Sequence, residues 1–268
     1  MDVTAFFQVL TNVFGFLPPL AGKVVIEPSN VILVVAWLVA GLVSLYFSVY
    51  NSRIWTSVSI GFFLLVWAQS FQINPWADMF PLLVAIHYTV GTIAIIIVSY
   101  GIQEYYFFTR TLEVSGAKTH IYLGAAALVG FASLAIAVNP EPTQFVLRNY
   151  RLANNIVWVM LCLVNIITVT RIYRELEGSP VAKGILGLGL VFLFSLIWKG
   201  SSLYLIMYQW DKDWMMIAKT VGAAGLLPDI ASHVYRIEFA KTMFKTFNIL
   251  TSISVMGSFA YLLRVMAR

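Results

Sequence analysis

Five ionisable side chains sit in or beside stretches otherwise apolar enough to enter a membrane. They are Lys199 in FSLIWKGSSLYL, Lys219, Asp229 and His233 in IAKTVGAAGLLPDIASH, and His87 in AIHYTVGT. A charge near the bilayer centre costs several kcal/mol on insertion scales, so each is a candidate for binding a substrate or an ion. Asp229 and His233 are four residues apart and share one face of a helix, a geometry suited to proton transfer or to half of a metal site. Two ligands do not complete a metal site, and no metal is expected. Lys199 has Ser195 four residues before it and Ser202 three after it on the same face, and it is the deepest cation in the chain. The competing reading for both lysines is snorkelling, with Lys199 reaching toward Trp210 and Lys219 toward Trp214 and Asp213. On an unbroken helix Lys219 and Asp229 stand about 15 Å apart along the axis and cannot pair. Gly222, Gly225 and Pro228 weaken that helix, and broken helices offer carbonyls and dipole ends to ions.

The elements that must position these residues follow from composition. The chain has 268 residues, of which 60% are hydrophobic and 11% charged, with a mean hydropathy of +0.85. An ordinary soluble domain is about 25% charged, so this is the composition of an all-α, polytopic helical membrane protein. A helix needs about 20 apolar residues to cross a bilayer. Runs at 30–50, 54–72, 80–103, 119–139, 154–173, 184–208 and 243–265 meet that length, and 214–233 is an eighth candidate.

Charge counting favours eight spans over the alternative of seven. With eight, Arg53, Arg110, Lys118, Arg171, Arg174, Lys183, Arg236, Lys241 and Lys245 share one side, against Lys23, Arg148, Arg151, Lys212, Arg264 and Arg268 on the other. That bias places the loops with Arg53, Arg110, Arg174 and Lys241 in the cytoplasm. Residues 1–28 read as an interfacial segment and 29–268 as the helix bundle, together one integral membrane domain. Trp55, Trp76, Trp210 and Trp214 mark helix ends expected at the headgroups, and Glu104 is expected exposed at the end of the third span.

Other functional classes fit less well. The net charge of +5 comes from short basic clusters between apolar runs, as orientation in a bilayer requires, and nucleic-acid binding is not expected. Cys162 is the single cysteine and builds neither a disulfide nor a thiolate cluster within one chain. No nucleotide loop, hydrolase triad or metalloprotease helix is present. His87 could ligate haem only with a second histidine at matching depth, and His120 and His233 both fall near helix ends. The letters AKTVGAAG are similar to the retinal-lysine helix of microbial rhodopsins. Here, however, Lys219 lies near a helix start, Asp213 is six residues earlier, and a further span follows. The expected function is transport of an ion or small solute, with the lipid bilayer as partner. The alternatives are a non-catalytic subunit of a larger complex, such as an electron-transfer one with partner membrane subunits, and a retinal-type or other seven-helix photoreceptor or sensor.

Overall fold

A computed structural model describes residues 2–15, 18, 24–50, 53–111, 117–220 and 231–266. Among these, nine α-helices carry the fold: α1 Thr4–Val13, α2 Pro28–Tyr50, α3 Arg53–Ile73, α4 Pro81–Thr111, α5 Lys118–Ala137, α6 Gln144–Glu175, α7 Pro180–Met207, α8 Lys212–Thr220 and α9 Val234–Met266. Seven of them, α2 to α7 and α9, are long and apolar enough to cross a membrane.

Local chemistry sets several boundaries. Pro28, Pro81 and Pro180 each open a helix, where the missing N–H costs nothing. The side chains of Thr143 and Ser179 accept from the Val146 and Val181 amides and cap the starts of α6 and α7. Gly178, at φ +88°, supplies the left-handed turn between those two helices. At the other end of α7, Gln209 takes φ +60° while the Trp210 amide bonds Leu205 O at 2.9 Å and the Gln209 amide bonds Ile206 O at 3.1 Å. This is a Schellman stop, and Trp210 closes it by packing on Leu205.

Six of the long helices form a closed ring in the order α2, α3, α4, α6, α7, α9 and back to α2. The fifth, α5, rests on the outside of α4 and α3 and is largely exposed. Small residues let the walls approach closely. A Cβ on Gly61 would stand 3.0 Å from Ala94 O and 2.5 Å from Val98 Cγ2, and one on Gly184 or Gly187 would collide with Leu262 or Ser258 of α9. Gly130 on α5, which also looked like a packing position, faces open space.

The stretch 214–233 does not make the eighth crossing that charge counting favoured. His233 stacks on Trp210 with ring centroids 5.2 Å apart, so the chain leaves α7 and re-enters at α9 on the same end of the ring. Tyr261, near the other end of α9, donates to Pro180 O at the start of α7, which makes the two helices antiparallel neighbours. Counted on seven crossings, the sequence puts Arg236, Lys241 and Lys245 with Lys23, Arg148, Arg151, Lys212 and Lys219, and Arg264 and Arg268 with the opposite set. The count becomes eight against eight. Arg53, Arg110 and Arg174 do sit at one end, but Lys241 is inside α9 near the other, so the four do not share a side.

Three of the expected interfacial tryptophans are instead inside the protein. Trp55 packs between Phe47 and Tyr105, Trp76 donates to Pro18 O and meets Phe7 of α1, and Trp210 seals the α7 stop. The ten-residue α1 is too short to cross a bilayer, and it exposes Phe6, Val9 and Val13.

Two substitutions test these local arguments. Gln209→Gly relieves a left-handed non-glycine residue and should raise thermal stability by about 1 kcal/mol. Gly61→Ala wedges α3 from α4 and should lower it by about 1–3 kcal/mol, with Gly130→Ala as a control near zero, all read from melting curves in detergent.

Candidate functional site

The interior of the ring carries two polar clusters separated by an apolar stretch. The deeper one centres on Lys199 of α7. Its ammonium lies over the ring faces of Trp198, 4.2 Å from the centroid, and Trp158, 5.0 Å away. No carboxylate or hydrogen-bond acceptor among the described residues reaches it. Around it close Trp37 of α2, Leu65, Ala68 and Gln69 of α3, His87 and Gly91 of α4, and Asn154 of α6, leaving a cavity of about 20 Å³. Every helix of the ring except α9 contributes to that wall.

Neighbouring side chains of the cluster are spent on one another. His87 donates from Nδ1 to Ala68 O at 2.6 Å and faces the Gln72 side-chain amide through Nε2 at 3.0 Å. A carbonyl can only accept and an NH2 group can only donate, so the ring is the neutral Nδ1–H tautomer. Gln72 in turn accepts from Gln69. Asn154 donates to Tyr88 O at 3.0 Å and Thr92 Oγ1 at 2.9 Å, and Asn155 donates to Ser202 Oγ at 3.2 Å. Both nitrogens of His87 are thus committed, which leaves neither for haem iron.

The second cluster closes the opposite end. Glu104 takes Arg53 at 3.0 Å, Tyr100 OH at 3.0 Å and Ser57 Oγ at 3.0 Å. Its side chain is only 12% exposed, in contrast to the surface position expected. Next to Glu104 along α4 Gln103 donates to Thr168, and about one turn further in Asn165 donates to Ser99. Between this cluster and Lys199 lies a stretch walled by Phe62, Ile95, Val98, Val191, Phe192 and Phe259, whose own cavity also measures about 20 Å³. Trp37, Leu65 and Trp158 belong to both cavities, so the two are neighbours sharing a wall.

Of the five residues picked out in the sequence, the fold brings together Lys199 and His87. Lys219 is exposed on α8, and His233 packs on Trp210 at the end of the bundle. Asp229, with Gly222, Gly225 and Pro228, lies outside the described residues. Sequence reasoning missed Asp211, whose side chain is fully buried against Arg148 at 3.5 Å while Arg148 lies over the Trp214 ring and bonds Ile206 O. This assembly ties α8 and the end of α7 to α6. The only signal for it was an acid next to Trp210 in a run of loop-like residues.

No known protein family matches the chain, and no curated protein shows significant similarity to it. Fold and site together define a helical bundle with, among the described residues, seven membrane-length helices, six of them in a ring around a lysine that has no acidic partner.

The energetics of Lys199 can be tested directly. Burial of an ammonium in the membrane interior costs about 2.5–3.5 kcal/mol on insertion scales. Two desolvated indole faces return about 1–2 kcal/mol each, which nearly balances it. Removing one member of a buried ion pair costs about 3–5 kcal/mol, but Lys199 has no such pair. Lys199→Met should therefore leave the melting temperature at low ionic strength unchanged or higher, and a fall of several degrees would assign the lysine a structural role.

Proposed function

We propose that the protein is an integral membrane transporter of an ion or small solute, crossing the bilayer seven times, with α1 lying along the surface on its exposed apolar face. The observation that supports this reading is the position of Lys199. A cation inside a membrane bundle is commonly paired with an acid or drawn out to a headgroup. Lys199 is neither: it points into the ring, over two indoles, against a small polar cavity. Such a charge is useful when the compensating charge is a passing guest.

The layout suits a closed state of a transport path. Polar side chains line the ring from the Lys199 end, and the Glu104 cluster lines it from the other. The aromatic and aliphatic stretch between them is a hydrophobic constriction of the kind that stops water and ions until its walls separate. Phe62 and Phe259, in edge contact at 5.1 Å across α3 and α9, are the pair whose separation would open it. The same cavity weighs against a pigment. A space of about 20 Å³ admits a water-sized guest and not a retinal. The subunit reading has one feature in its favour, the large exposed apolar face of α5 with Leu123, Phe131 and Leu134, but acyl chains cover such a face equally well.

Purified protein in liposomes provides the test. Counter-flow or efflux should depend on the protein and fall at least tenfold in Lys199→Met, while Lys219→Met, on the exposed short helix, leaves it unchanged. Equal flux in wild type and Lys199→Met would sink the proposed path.

A further inference from the structure

The lysine is not the only group left without a partner at this site. Trp158 and Trp198 are 3% and 2% exposed, and the indole Nε1 of each is buried with no hydrogen-bond acceptor. Both rings line the same cavity as the Lys199 ammonium. Indole N–H groups donate and never accept, and an ammonium does the same. A buried donor without an acceptor costs about 1–3 kcal/mol, so the two indole N–H groups beside the ammonium favour a guest that only accepts.

Lys199 is the one ionised side chain among the described residues that line the space. From α3 and α4 come Gln69 and the neutral His87, and from α2 only Trp37. Among the described residues no acid lines the cavity. Asp211 is held by Arg148 at the bundle end, and Glu104 is beyond the apolar stretch. Water could satisfy the hydrogen bonds but not the charge.

Size narrows the choice further. A cavity needs about 10–15 Å³ to admit one water, and this one offers about 20 Å³. Phosphate, sulfate and organic carboxylates do not fit such a space, whereas a halide does with little adjustment. We infer that the cavity bounded by Lys199, Trp158 and Trp198 is a binding site for a small monovalent anion of halide size. The site deepens the transport reading and rests on it for the passage of the ion, but not for its binding.

The test uses the purified full chain in detergent, with sodium chloride or sodium bromide titrated against sodium gluconate at constant ionic strength. A ligand that binds only the folded state raises the melting temperature in a saturable way. Chloride and bromide should do so in the wild type, and gluconate and sulfate should not. Lys199→Met should abolish the effect. Trp198→Phe keeps a ring face for the ammonium but removes one donor, and should weaken halide binding by roughly tenfold, the equivalent of about 1.4 kcal/mol. Absence of a saturable halide effect in the wild type, or its persistence at full strength in Lys199→Met, would overturn the inference and leave water as the guest. Halide binding without halide flux in liposomes would support the site and overturn passage of the halide. Flux of another solute with no halide binding would overturn the site alone.

Discussion

An ammonium group enclosed by apolar helices without a counter-charge is the constraint around which this bundle is arranged. Its cost in a bilayer is of the same order as the whole stability margin a few helix contacts supply, so the surroundings must answer it. They do so with π faces. Trp198 is the residue directly before the lysine, Trp158 comes from the neighbouring helix, and the two indoles meet edge to face at 6.0 Å. The same two rings then bury their own N–H groups, and the compensation of one unsatisfied group creates two more. A polar vacancy at this depth is thus a consequence of how the lysine is stabilised.

Most other polar side chains of the two clusters are hydrogen-bonded, although Ser195 Oγ and Asn165 Oδ1 are buried without a partner. His87, Gln72 and Gln69 form a closed chain, Asn154, Asn155 and Asn165 each find an acceptor on another helix, and Glu104 is held by three donors. These bonds cross between α3, α4, α6 and α7 and fix the register of helices whose outer faces are uniformly apolar. In lipid such bonds contribute about 0.5–2 kcal/mol apiece, enough together to choose one packing among several of similar contact area.

Much of the fold was legible in the sequence because length and hydropathy answer directly to bilayer thickness. The seven runs were placed correctly, with α4, α6 and α9 extending well beyond their apolar portions. The place of Lys199 inside a long apolar helix was also readable from its spacing within the run. The eighth crossing was not, because a stretch such as 214–233 is apolar enough to span, and only the meeting of Trp210 with His233 shows where it returns. Nor could spacing within one helix reveal that Lys199 and His87 share a cavity, since ring order is a property of tertiary packing. The tryptophans misled for a related reason. Their amphipathic rings suit a headgroup interface and a helix stop equally, and here Trp55, Trp76 and Trp210 serve the interior.

Closure of the ring joins the first membrane-length helix to the last. Trp37 of α2 helps wall the lysine cavity, yet α2 packs on α9 as well as α3, and α9 begins at Val234. During synthesis at about 5–20 residues per second, α2 must wait on the order of 10–40 s before its second neighbour exists. Until then the flank of the ring between α2 and α7 is open. Closure of the ring therefore waits on α9, and any factor that escorts the nascent chain would meet the bundle at that unfinished seam.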